Sequence, residues 1–233
     1  MSYGTPVICD HMMDVQAILG AWRKLVPPEV LVSAGPLLPN PPELTQLERS
    51  SLGPVDAERL REFEAGRAYA KSALKMIGVH RAEVLIGSDR SPLWPAGITG
   101  SLTHVMGGDG GHFAAAVART DAVRAVGIDV ERQDGLNPKM WNYILTNREL
   151  ERILALPLPA RAPEVKVLWC AKEAVAKAAP QSFEPTELEI ERDADGVEYK
   201  ATCRSAVAGG PAQVWRGRTI ESEGFMLAAV VLR

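Results

Sequence analysis

The chain has 233 residues, 46% of them hydrophobic, enough for one large domain or two half-size ones around a real core. With 26 Lys plus Arg against 29 Asp plus Glu, the net charge is −3, so no polybasic footprint for bulk nucleic acid is present. Cys9, Cys170 and Cys203 are far apart and outside any CxxC pairing, which argues against a disulfide framework and a zinc knuckle and for a reducing compartment.

Met1 to Asp14 has no basic region, so no secretory signal is expected. The longest apolar stretches, such as Phe225 to Leu232, are far short of the roughly 20 residues of a bilayer helix. A cytoplasmic protein without a membrane span is expected. Ala17 to Leu25 suits a short helix, and the prolines from Pro27 to Pro42 then leave an extended or loop segment. Leu60, Phe63, Arg67, Ala70, Leu74 and Ile77 recur at three- and four-residue steps and predict a helix over Asp56 to Gly78, with Gly78 as its stop. Its other face carries Arg59, Arg61, Arg67, Lys71 and Lys75, a solvated surface or one aimed at an anion.

Gly87 to Gly111 is rich in Gly, Pro and Ser and reads as loop. His112 to Arg119 and Ala122 to Glu131 are β-prone runs whose Arg119-Thr120-Asp121 separator fits a hairpin. Asn147 to Ala155 reads as helix, Pro157 to Pro163 as a break, and Val165 to Ala179 as a second strong helix ended by Pro180. Four antiparallel strands are expected in the tail, at Glu187 to Glu191, Val197 to Cys203, Val214 to Thr219 and Phe225 to Leu232. Their turn signals are Asp195-Gly196, Gly209-Gly210 and Glu223-Gly224. This order suggests an α+β fold of two similar α/β halves, 1–121 and 122–233. No GxGxxG, Walker, HExxH or GxSxG pattern is present.

Asp129 and Glu131 are two apart on a strand, so both side chains leave one face, roughly 6.5–7 Å apart, where one cation can hold both. Trp169, Glu173 and Lys177 share a helix face at four-residue steps, opposite an apolar stripe of Leu168, Ala171, Val175 and Ala178 that would bury the helix against a sheet. Each feature alone has a plain alternative. The carboxylates can be a solvated strand edge, Glu173 with Lys177 an ordinary i,i+4 pair, His104 a hydrogen-bonded loop histidine, and Arg67 with Lys71 a wet helix face.

Together and in order, however, the local strings are specific. Gly127-Ile128-Asp129-Val130-Glu131 followed by Trp169-Cys170-Ala171-Lys172-Glu173-Ala174-Val175-Ala176-Lys177 resembles the paired signature of the 4′-phosphopantetheinyl transferases, GIDxE then (W/F)xxKExxxK. Trp94 to His104 resembles the WPxGxxGSxxH stretch of the enterobactin-synthetase type, and Glu62-Phe63 with Gly66-Arg67 its EFxxGR helix.

The resemblance implies two similar halves about a pseudo-twofold axis, a monomer with coenzyme A in the cleft between them. It implies transfer of the 4′-phosphopantetheine arm of coenzyme A to a serine of an acyl, peptidyl or aryl carrier protein, releasing adenosine 3′,5′-bisphosphate. Asp129, Glu131 and Glu173 would hold Mg2+, or Mn2+ in its place, with Glu173 as general base and Lys177 neutralising or protonating the leaving phosphate. Lys172 would contact phosphate from the helix edge, Arg59 and Arg67 would grip the phosphates or adenine end, and His104 with Thr103 would meet a phosphate. One departure stands out. Family members commonly place lysines around the glycine before the WP stretch, whereas this chain has Ser88, Asp89 and Arg90 after Gly87, with Arg90 or Arg81 to compensate for Asp89. The resemblance leans to siderophore or secondary metabolism. A Mg2+-dependent phosphodiester hydrolase and a catalytically weak module binding carriers and coenzyme A are the alternatives.

Overall fold

The computed structural model describes residues 14–107, 111–203 and 212–233. Cys9, the centre of the glycine-rich segment near His104, and the Gly209-Gly210 turn signal lie outside them.

Two antiparallel sheets organise the chain. The first runs β1-β5-β4, with β1 at Leu31–Pro36, β4 at Ile98–Val105 and β5 at His112–Arg119. The second runs β6-β10-β9-β8-β7, built from Ala125–Arg132, Leu188–Arg192, Glu198–Cys203, Gln213–Ser222 and Phe225–Leu232 as β6 to β10 in chain order. A small hairpin joins β2 (Leu85–Ile86) to β3 (Pro92–Leu93). The protein is α+β, with a sheet in each half.

Three cores stack these layers. Helix α3 (Ala57–Met76) lays Ala70, Ala73 and Leu74 on Ala115 and Val117 of β5. Helix α1 (Val15–Leu25), capped by the Asp14 carboxylate on the amides of Gln16 and Ala17, wedges Ile18, Trp22 and Leu25 between the first sheet and Leu227 and Ala229 of β10. Helix α6 (Leu158–Ala178) covers the other face of the second sheet with the expected stripe, Leu168, Ala171, Val175 and Ala178. A Cβ at Gly127 would collide with the Ala174 carbonyl, so only glycine lets α6 lie this close to β6.

The two sheets meet edge to edge. Because β6 is an edge strand, the outward amides of Ile128 and Val130 need acceptors, and β4 supplies hydroxyls: Ser101 Oγ at 3.1 Å and Thr103 Oγ1 at 3.2 Å.

A matching device occurs in each half. In α2 (Gln46–Leu52), Thr45 and Glu48 form a capping box, and Glu48 takes Lys71 Nζ at 2.6 Å and the Val84 amide at 3.0 Å. In α5 (Asn147–Ala155), Thr146 and Glu149 repeat the box, and Glu149 takes Lys172 Nζ at 2.6 Å and the Ile190 amide at 2.7 Å. The lysine follows the glutamate by 23 residues in both. These nodes are the internal repeat that the letters hide.

Three expectations are corrected. Ile98 to Val105 is a full strand rather than loop, its hydroxyls serving the seam and Gly100 leaving room for the Trp94 ring. The runs at 112–119 and 125–132 are no hairpin, since β5 pairs with β1 and β4 while β6 pairs with β10. Pro157 to Pro163 is no break: the helix begins at Leu158 and carries Pro163 in its second turn, where Arg161 bonds the Leu154 and Leu156 carbonyls. Cys170 and Cys203 are buried and free. Among the described residues no helix is long and apolar enough to cross a membrane.

His112 is fully buried between Trp22 and Phe225, and its Nε2 accepts Trp22 Nε1 at 3.0 Å. Burial pushes its pKa down from 6.5 to about 4, so the unfolded chain binds the proton first and stability is lost as pH falls from 6.5 toward 4. A His112→Phe variant should melt lower near neutral pH, where Trp22 loses its acceptor, yet lose less Tm between those pH values; a parallel acid slope would contradict this.

Candidate active site

Asp129 stands at the seam. Its Oδ1 accepts the Thr103 hydroxyl at 3.0 Å from β4 and Lys177 Nζ at 2.6 Å from α6. Lys177 also donates to the Ile128 carbonyl at 3.2 Å. Asp129 Oδ2 is buried and has no partner among the described residues. Two positions along the same face, Glu131 is held by Lys166 Nζ at 3.1 Å and Trp169 Nε1 at 2.8 Å.

Lys166, Trp169, Glu173 and Lys177 form one face of α6, which therefore brings alternating charge to the two β6 carboxylates. Glu173 is half-buried. Burial first, then the charge of Asp129 and, least, that of Glu131, push its pKa up against the pull of Lys177. Lys177 is lowered by burial, but Asp129 and Glu173 outweigh that and hold it above its usual range, hence charged.

His104 borders this cluster. It stacks on Phe113 and lies 3.6 Å from Glu62, which Arg59 holds at 2.9 Å. Burial lowers the His104 pKa despite Glu62, so the ring is neutral near pH 7. The structure thus gathers Thr103, Asp129, Glu131, Glu173 and Lys177, with His104 and Arg59 alongside.

Other expected members lie elsewhere. Lys172 points away from Glu173, because successive helix residues diverge by about 100°. Its ammonium, 1% exposed, is filled by Glu149 and the carbonyls of Ile144 and Pro185, so it has no reach toward a phosphate. Arg67 is buried over the Phe63 ring and donates to the Val84 and Leu85 carbonyls. Ser88, Asp89 and Arg90 form an exposed hairpin turn in which Asp89 accepts the Ser91 amide and hydroxyl and Arg90 adopts φ 69°. Nor are Asp129, Glu131 and Glu173 closed into a ready cage: among the described residues no three His, Cys, Asp or Glu side chains are gathered to hold a metal. Sequence reasoning missed Lys166, although it lies seven residues before Glu173 on one helix face, and Glu149, although Thr146 and Glu149 spell a capping box.

Comparison with known proteins decides the family. Residues 53–118 match the 4′-phosphopantetheinyl transferase N-terminal domain, and residues 125–217 match the 4′-phosphopantetheinyl transferase superfamily. The 4′-phosphopantetheinyl transferase PptT of Mycobacterium tuberculosis is 36% identical over 84% of this chain and 90% of its own length. The chain belongs to the 4′-phosphopantetheinyl transferase superfamily. The 4′-phosphopantetheinyl transferase Svp of Streptomyces mobaraensis is 31% identical over 75% of this chain and 73% of its own, and enterobactin synthase component D of Escherichia coli is 30% identical over 61% of each. As a member of this family the protein is an enzyme, a phosphopantetheinyl transferase.

The Lys172–Glu149 pair is the more buried of the two nodes, so Lys172→Met leaves a buried carboxylate uncompensated and should cost roughly 3–5 kcal/mol. Lys71→Met, whose lysine is 27% exposed, should cost less. Denaturant unfolding measures both, and KM for coenzyme A in Lys172→Met should stay unchanged; a raised KM with intact stability would restore Lys172 to phosphate binding.

Proposed function

We propose that this transferase moves the 4′-phosphopantetheine arm of coenzyme A to a serine hydroxyl of an apo carrier protein, releasing adenosine 3′,5′-bisphosphate, with a divalent cation held by the carboxylates of Asp129, Glu131 and Glu173. The observation that carries the reading is the buried Asp129 Oδ2, without a partner among the described residues, beside the Glu173 carboxyl, whose pKa is raised by burial first and then by the Asp129 charge. A donor set of a few carboxylate oxygens fits Mg2+, which takes few protein ligands and leaves places for water and substrate phosphate. When bound, that ion supplies Lewis-acid neutralisation of the pyrophosphate.

The chain's own residues do the rest. Glu173, with its pKa shifted toward neutrality, accepts the serine proton. Lys177 spends two of its three N–H donors on Ile128 and Asp129, and the third neutralises the leaving phosphate. Thr103 holds Asp129 in place. His104 and Arg59, on the near side of the cluster, line the path of the coenzyme A phosphates. The relatives named enterobactin synthase component D favour carriers of siderophore or other secondary-metabolite assembly as the substrate class.

Intact mass of an apo carrier incubated with enzyme, coenzyme A and Mg2+ tests this. A gain of about 340 Da is expected with wild type and metal, and none with Glu173→Gln or without metal. No gain on carriers from several pathways would overturn the reading. The same Gln variant should be the more stable protein near neutral pH. A carboxyl with a raised native pKa costs stability once pH passes it, so the Tm gap over wild type should open as pH rises through the carboxylate range above 4.5. An unchanged or lower Tm would contradict that account of Glu173.

A further inference from the structure

Helix α1 covers only part of its face of the second sheet. It packs on Leu227 and Ala229 of β10, on the side opposite α6, and stops at Leu25. Beyond that end lies a cavity of about 680 Å3, within the ~300–1,000 Å3 of small-molecule sites. Leu25, Val26 and Pro27 with Val231 give it an apolar wall, and alternate residues of β8 and β9 are its floor. The floor is cationic. Lys200 and Arg216 stand directly opposite each other in the β8–β9 register, a placing of like charges that destabilises a sheet. The carboxylates around them are already engaged. Glu191 takes Lys200 Nζ at 2.6 Å, and Asp193 accepts the amides of Val197 and Glu198. Glu198 lies across from Arg218, which donates to the Lys24 carbonyl at 2.6 Å. Arg192 is held by Glu164, and Arg233 lies 3.5 Å from Glu29. Arg216 has no hydrogen-bond or ion-pair partner among the described residues.

We propose that this cavity binds a single-chain amphipathic anion, with its carboxylate or phosphate head on Arg216 and Lys200 and its apolar chain along Leu25, Val26, Pro27 and Val231. The head offsets the opposed cations, and the Arg216 guanidinium has a planar fork of donors to give it. A neutral apolar ligand would leave the cations unanswered. A small inorganic anion would leave the apolar wall in water. The site is distinct from the transfer cleft, because Asp129 and Glu131 bond to α6 on the other face of the sheet.

The test is a calorimetric titration of the purified protein with dodecanoate and with dodecyl phosphate, each below its micelle concentration. One saturable site is expected for both, the tighter of the two identifying the preferred head. Inorganic phosphate and dodecanol, which carry only one half of the ligand each, should bind more weakly by about tenfold or more. Arg216→Gln should weaken dodecanoate by about tenfold, as expected when a charged hydrogen-bond partner is lost, and Arg216→Lys should keep most of the affinity. Val26→Asp should abolish binding by placing a charge on the apolar wall. Thermal melts accompany each variant, and Val26→Ser replaces Val26→Asp if the latter fails to fold. Holo-carrier formation by Arg216→Gln should match wild type, so this site and the transfer reaction fail or stand separately. A wild type that saturates with neither anion overturns the proposal, as does an Arg216→Gln protein that binds dodecanoate as wild type does. Dodecanol binding as tightly as dodecanoate overturns it too, since the cations would then have no part in the site.

Discussion

The Asp129 carboxylate is where the fold and the site become one problem. It is reached by a hydroxyl from the edge of the first sheet, Thr103, and by an ammonium from the main helix of the second half, Lys177. Thr103 uses both of its capacities, donating to Asp129 and accepting the Val130 amide, so the bond that orients the carboxylate also closes the edge of β6. A shift of one half against the other therefore moves the carboxylate, and the site exists only while the seam is intact. Glycine at 127 completes the arrangement by letting α6 lie on β6 closely enough for Lys177 to reach.

Charge in this region is arranged by three lysines of one helix with distinct duties. Lys172 is spent on Glu149, inside the protein, where it ties α5 and the edge strand β7 to α6. Lys177 faces the seam and Lys166 faces Glu131. Glu173 stands between the last two, and burial first, then the Asp129 charge, raise its pKa against the pull of Lys177. The node at Glu48 and Lys71 does for α3 what Glu149 and Lys172 do for α6, so both long helices are anchored by buried, multiply bonded carboxylates. Burial raises the Glu48 carboxyl, but Lys71 and the amides of Val84 and Thr45 outweigh it and hold it below the usual range. Such rigid mounts suit side chains that must meet a substrate in one geometry.

Much of this was legible in the letters where local pattern and tertiary role agree. The α3 and α6 periodicities, the tail strands and the shared face of Asp129 and Glu131 all express burial on one side, which spacing reports directly. Legibility ended where a residue serves a distant partner. Ser101 and Thr103 look like loop residues because their hydroxyls bond a neighbouring sheet, and Gly100 because a Cβ there would strike the Trp94 ring. Arg119 to Ala122 looks like a hairpin turn because the chain does reverse there, but it passes into another sheet. Lys172 sits inside a motif associated with phosphate, and only the position of Glu149 reveals that it is used for packing. Lys166 shares a helix face with Glu173, but its partner Glu131 is visible only once the strand beneath it is known.

One hydroxyl, on Thr103, both ties the halves together and orients the Asp129 carboxylate. Thr103→Ser and Thr103→Val separate the hydroxyl from the shape of the side chain. Measured by holo-carrier formation at saturating coenzyme A and Mg2+, the serine variant should transfer at close to the wild-type rate. The valine variant should lose roughly 10–100-fold, as expected if Asp129 holds the proposed cation and its supporting hydrogen bond is removed. A valine variant that transfers as fast as wild type would show that Asp129 is positioned without Thr103 and would contradict the account.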